Sequence, residues 1–152
     1  MNASHVLNTY YQDGALPVDL HYIAAQVGIK IEYINAPDDY CGELDTDTTP
    51  ILIKVNANHA ETRQRFTIAH ELGHYFLGHG SRNRIVDNRS NMSSYDPIEY
   101  LANDFAAKLL MNDIYINHLI KHQKIKTLGD VANRFNVSLD SARVRCKKLG
   151  LL

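Results

Sequence analysis

Cysteine is nearly absent from this chain: Cys41 and Cys146 are its two members, far apart and outside any C-x-x-C spacing. That excludes a disulfide framework and a cysteine zinc site, and free thiols are expected at both positions. Long apolar runs are missing too. No stretch approaches the ~18 residues that a membrane-spanning helix needs, and Met1-Asn2-Ala3-Ser4-His5 lacks the basic region of a secretory leader. A soluble, cytoplasmic protein without a membrane partner is the expectation. Internal repeats and low-complexity tracts are absent as well. Glutamate is sparse in the second half, where Glu99 is the only one after Glu71. What is present, 152 residues of which 45% are hydrophobic and 22% charged, suffices for one compact domain with a buried core.

The net charge of −1 hides an uneven distribution. Between 121 and 152, Lys121, Lys124, Lys126, Arg134, Arg143, Arg145, Lys147 and Lys148 face only Asp130 and Asp140. Such a segment reads either as a solvated helical surface or as a docking face for nucleic acid or an acidic partner.

The chemistry is carried by His70-Glu71-Leu72-Gly73-His74, an H-E-x-x-H run. At 3.6 residues per turn, histidines at i and i+4 project from one helical face, where two imidazole nitrogens can reach one zinc ion at about 2.0–2.1 Å. Glu71 lies between them, flanking rather than ligating, which suits a base acting on a metal-activated water. At this chain's His and Glu content, chance produces such a run about once in a hundred sequences of this length.

A catalytic zinc ion takes three protein ligands and keeps a fourth position for water. A metzincin would continue with glycine and histidine seven and ten residues after the first histidine, and those positions hold Leu77 and Gly80. His79, displaced by one, points away from His70 on a continuing helix, unless a bend at Gly78 brings it to the rim. The other candidate is Glu99, in the first turn of a helix whose Ala102 and Ala106 permit close approach to another helix. Glu99 also completes Asp96-Pro97-Ile98-Glu99, the D-x-x-E spacing of a capping box, and spacing alone leaves both readings open. Asn103, one turn on, is placed to hydrogen-bond a ligand.

The pattern around these residues is α+β. A helix is expected from Pro17 to Val27 with a stop at Gly28, strands at Ile29 to Ile34 and Ile51 to Val55, and a short strand at Cys41 to Leu44. The sheet they form reads as small and mostly antiparallel, packed on the H-E-x-x-H helix. That helix is expected to start at Asn58, with Glu61 in the capping-box position, and to run to about Leu77. Residues 81 to 96 lack periodicity and read as a polar loop, either a substrate gate or a plain connection. Asp96-Pro97 opens the next helix, with Ile98, Leu101, Ala102, Phe105 and Leu109 as its apolar stripe. Short helices follow near 113–122, 127–135 and 138–149.

Taken with their neighbours, Arg65-Phe66-Thr67-Ile68-Ala69-His70-Glu71-Leu72-Gly73-His74 and the run from Glu99 through Ala102-Asn103 to Leu109-Leu110-Met111 resemble the ImmA/IrrE metallopeptidase family. Pro17 to Gly28 is similar to that family's first helix, and Val131 to Ser138 with Arg143 to Leu149 to its C-terminal helical segment. The resemblance implies a gluzincin-like zinc endopeptidase: His70, His74 and Glu99 hold one zinc ion, water fills the fourth position, and Glu71 is the base. It implies a minimal zincin-like core over 1–120 and a basic helical segment, 121–152, packed on it and possessing a helix-turn-helix-like pattern. The family commonly has a proline after the L-L-M run, whereas this chain has Asn112, which touches only the helix end.

Peptide hydrolysis also needs a donor for the developing oxyanion. Tyr75, His79, Tyr95 and Tyr100 are candidates, with Tyr95 and His79 preferred because each adjoins the polar loop; each also reads as a surface or packing residue. The strand from Ile51 to Val55 is expected to hold an extended substrate by edge pairing. The resemblance implies a protein substrate, a helix-turn-helix repressor encoded nearby in a phage or mobile element and inactivated by one cut. The alternative is a DNA-binding or protein-binding regulator with a non-catalytic metal site, resting on the basic terminus and on Leu128 to Leu149, which resembles half of a helix-turn-helix. A toxin–antitoxin component fits either chemistry.

Overall fold

The computed structural model describes residues 1–81 and 96–152. The segment 82–95, and with it the gating loop and the oxyanion donor expected at Tyr95, lies outside the described residues.

Helix α1 (Ala3–Tyr10), absent from the expectations above, is started by Asn2, whose side chain accepts from the His5 amide, and it buries Ala3, Val6 and Leu7. Helix α2 (Leu20–Gln26) begins later than Pro17 because Asp19 is its cap, accepting from the Tyr22 amide. Gly28, at φ +73°, then turns the chain into β1 (Ile29–Ile34).

Strands β2 (Gly42–Asp45) and β3 (Ile51–Asn56) complete an α+β fold, but the sheet is mixed rather than mostly antiparallel. Its order is β1-β3-β2, with β3 parallel to β1 from Ile29–Ile51 to Ile34–Asn56 and antiparallel to β2. After β1 the chain crosses to the far edge before β3 inserts between the two, which a two-residue hairpin cannot do and a longer connection can. Asn56, buried at the end of β3, holds that connection. Its Nδ2 donates to the carbonyls of Pro37 and Tyr40 at 2.8 Å each, and its Oδ1 accepts the Asn58 amide. Because β3 is the central strand, both of its edges are used, and the edge pairing expected of Ile51 to Val55 is not available to a substrate. The outer strand beside the H-E-x-x-H helix is β2.

That helix, α3 (Glu61–Phe76), starts after Ala60 with no side-chain cap, not at Asn58. Asn58 instead donates through Nδ2 to Asn35 Oδ1 and the Ala36 carbonyl, and the Glu61 carboxylate accepts from Asn136 Nδ2 at 2.9 Å. Tertiary partners have taken both members of the expected capping box. In α4 (Pro97–Leu110), Asp96 accepts from the amides of Ile98 and Glu99, Pro97 occupies the first turn, and Glu99, Ala102, Phe105, Ala106, Leu109 and Leu110 are buried. Leu101 is exposed and outside this stripe.

Helices α5 (Asp113–Lys121), α6 (Leu128–Phe135) and α7 (Leu139–Leu149) lie within a residue or so of expectation. Asn112, in place of the family's proline, caps α5 by accepting from the Ile114 amide. Asn136, at φ +52°, turns α6 into α7 in three residues. Val131, Phe135, Val137, Ala142 and Cys146 share one buried cluster with Ile53, Ile68, Leu72 and Leu109. Burial pushes the Cys146 thiol pKa up. Among the described residues no helix is long and apolar enough to cross a membrane.

Candidate metal centre

The site is made where α3 and α4 touch. Gly73 of the H-E-x-x-H run sits at that contact: a Cβ added there would meet Phe105 Cδ1 at 3.1 Å and the Ala102 carbonyl oxygen at 3.2 Å. With small residues facing each other as Gly73 and Ala102, the two backbones come close enough for Glu99 to reach the α3 histidines. On the other side of α3, Gly42 lets β2 come in; a Cβ there would lie 2.3 Å from the Lys54 carbonyl oxygen and 2.7 Å from Thr67 Cγ2.

Three atoms converge. His70 Nε2 is 2.9 Å from Glu99 Oε2, His74 Nε2 is 3.1 Å from the same oxygen, and the two Nε2 atoms are 3.1 Å apart. All three residues are buried, at 2%, 0% and 2% exposure for His70, His74 and Glu99, so water cannot screen them. The opposite nitrogen of each ring is occupied: His70 Nδ1 meets Asn103 Oδ1 at 2.7 Å and His74 Nδ1 meets His79 Nδ1 at 2.8 Å. The Asn103 oxygen can only accept, so His70 carries its proton on Nδ1 and turns the Nε2 lone pair inward. Lone pairs on nitrogen and a carboxylate oxygen packed together in a dry pocket repel unless a cation lies between them. A tetrahedral zinc ion with ligands at about 2.0–2.1 Å needs them about 3.3 Å apart, close to the spacing present here. The donor set therefore fits a metal ion, and its nitrogen–oxygen composition suits zinc.

Glu71 is wholly buried, and ligand atoms of His70, Glu71 and His74 all lie within 4.8 Å of one another. The capping-box reading of Glu99 gives way here, because Asp96 does cap α4 while the Glu99 carboxylate points into the cluster.

The expected oxyanion donors fare differently. Gly78, at φ +75°, bends the chain, and His79 comes back against His74 from behind. His79 is thus placed to orient the His74 ring, and an oxyanion role for it has no support in this geometry. Tyr100 is 47% exposed on the flank of α4, with Lys148 Nζ 5.7 Å from its ring centroid, away from the cluster. Tyr75 packs against the core beside Phe76. Sequence reasoning missed the supporting role of Asn56, Gly42 and Gly73; the signal for the glycines was their place within or beside elements that otherwise disfavour glycine.

Comparison with known proteins bears on this arrangement. A family model described as the IrrE N-terminal-like domain of peptidases matches residues 24–147. The metallopeptidase ImmA of Bacillus subtilis (strain 168) is 36% identical over 93 residues, which cover 61% of this chain and 53% of that protein. A Mycobacterium tuberculosis transcriptional regulator shares the fold, with a TM-score of 0.64 and 17% identity over 99% of this chain and 46% of that one. The chain spans about half the length of these two proteins.

Proposed function

The chain belongs to the IrrE N-terminal-like family of peptidases, and from that premise we propose that it is a zinc-dependent endopeptidase acting on a protein substrate. The observation that carries the reading is the convergence of His70 Nε2, His74 Nε2 and Glu99 Oε2 within 2.9–3.1 Å. A zinc ion held there supplies Lewis acidity, which acidifies a water molecule and polarises a carbonyl. Glu71 takes the proton as the water oxygen bonds to the carbonyl carbon, then delivers it to the departing amine as the C–N bond breaks. Asn103 and His79 hold the two rings, so that their inward nitrogens stay available without reorganisation. Strand β2, paired on one side among the described residues and packed beside α3, offers an extended substrate an edge.

The substrate proposed is a helix-turn-helix repressor, cut once in the cytoplasm, as the family resemblance carried by the sequence motifs implies; membership of a peptidase family supports a protein substrate. Glu71→Gln keeps the metal and loses cleavage by at least about two orders of magnitude, the usual weight of a general base. Metal analysis beside a cleavage assay measures both, and undiminished cutting by Glu71→Gln ends the proposal.

A second reading, a DNA-binding regulator, draws on the α6–turn–α7 arrangement and the cations of α7. It requires a gel shift that survives Glu71→Gln and falls steeply with salt.

A further inference from the structure

The groove that α4 and α7 bound is lined by Asp104 and Asp140 beside Arg145 and Lys148, so its charge selects no occupant. A second pair of histidines four residues apart says more. His118 and His122 stand at the end of α5, and both are exposed.

Helix α5 stops at Lys121, one residue short of His122, yet the turn beyond it keeps the helical register. The Gln123 amide donates to the Ile120 carbonyl at 3.0 Å and the Lys124 amide to the Leu119 carbonyl at 2.8 Å, with Gln123 itself at φ +56°. This is how a helix closes on a left-handed residue. It holds His122, at φ −92° and ψ 13°, one turn above His118, whose carbonyl accepts the His122 amide at 3.1 Å. Ile116 and Leu119 are buried, which anchors the helix by its other side.

The two rings meet in solvent. Their centroids lie 4.3 Å apart with 52° between their planes, against 4.7 Å and 83° for His70 and His74 in the metal centre. The same spacing on a helix therefore gives nearly the same approach, close enough for two imidazole nitrogens to share one ion. Among the described residues, no side chain or carbonyl lies at hydrogen-bond distance from a ring nitrogen of either residue, and no third donor joins the pair. The remaining coordination positions are left to water. Two nitrogen donors without a carboxylate or thiolate suit a late first-row ion, with Cu2+ held before Ni2+ or Zn2+. Lys121 and Lys124 are the charges nearest in sequence; both are exposed, and ammonium groups on long solvated stems repel a bound cation weakly.

We propose that His118 and His122 form a second metal site, a two-imidazole clamp on the last turn of α5 that takes a late transition-metal ion and exchanges it with solvent. The proposal does not rest on the peptidase reading, because the clamp shares no residue with the buried cluster.

The probe is Cu2+ alone, titrated calorimetrically into the full chain after its zinc content has been counted. Wild type takes up one more equivalent of Cu2+ than the double change His118→Gln, His122→Gln. Each single change weakens that equivalent about a hundredfold, because the second imidazole otherwise acts at the high local concentration that a shared helix gives it. His5→Gln, which removes a lone exposed histidine, leaves the equivalent unchanged. Electron paramagnetic resonance shows hyperfine coupling to two imidazole nitrogens in wild type and to one in each single variant. Zinc content and copper-free melting curves stay the same throughout, which separates the clamp from exchange at His70, His74 and Glu99 and from unfolding. Equal copper uptake by wild type and the double variant overturns the proposal. So does a loss of only about twofold in each single variant, the behaviour of two independent rings.

Discussion

At the residue scale, the bond between His70 Nδ1 and Asn103 Oδ1 decides which nitrogen of the ring faces the cluster. Truncating Asn103→Ala frees the ring to rotate and to change tautomer, and metal affinity should fall about 10–100-fold, the usual weight of such an outer partner. Asn103→Asp keeps an acceptor at the same place and should recover most of it, an outcome a competition titration with a chelator measures. Glu99→Ala removes the carboxylate that, among the described residues, touches both Nε2 atoms, so metal content after dialysis should drop well below one per chain. Full occupancy in that variant would return Glu99 to a capping role. His70, Glu71 and His74 were legible in the sequence because i, i+4 spacing on one helix sets their direction, whereas spacing alone left Glu99 between a capping and a ligating role. Tyr100 was not, since its neighbour Glu99 is turned inward by the same helical period that turns Tyr100 out.

At the element scale, two glycines set how closely β2, α3 and α4 pack, and the space around them separates their effects. Alanine at Gly42 would drive its Cβ to 2.3 Å from a backbone oxygen in a neighbouring strand, so the sheet or α3 must shift. Gly42→Ala should cost about 1–3 kcal/mol, the range for overpacking, read as a lower denaturation midpoint. At Gly73 the contacts are 3.1–3.2 Å, tight rather than forbidden. Alanine there gains about 0.8–1 kcal/mol of helix propensity, which offsets the strain. Gly73→Ala should therefore leave apo stability within about 1 kcal/mol of wild type while pushing α4 outward and weakening metal binding. A stability loss as large as that of Gly42→Ala would show that the α3–α4 contact does more than position Glu99. Helices and strands were readable from periodicity, but the parallel pairing of β1 with β3 was not, because a strand's pattern is silent about which neighbour lies beside it.

For the whole molecule, Arg65 joins parts distant in sequence. Its Nε donates to the Asn136 carbonyl at 3.2 Å and its Nη2 to the Val18 carbonyl at 2.9 Å, which ties α3 to the α6–α7 turn and to the start of α2. Burial lowers its pKa, with Glu61 and Asp19 opposing the shift. Arg65→Ala leaves both carbonyls short of a charged donor and should cost about 2–3 kcal/mol; Arg65→Lys recovers little, because one ammonium cannot span both carbonyls. Urea denaturation followed by circular dichroism should show one transition for wild type and variant alike, since the side chains of 121–152 lie in the same cluster as those of α3 and α4. Two separated transitions would make 121–152 an independent unit. By itself the sequence determined the kind of chemistry and the α+β class, since an i, i+4 pair of histidines and alternating apolar residues act through local geometry. Only the tertiary structure decided that Glu99 completes the cluster, that β3 lies at the centre of the sheet and that α4 and α7 bound a groove. Each of these depends on how closely two elements approach, which is set by packing between residues far apart in the chain.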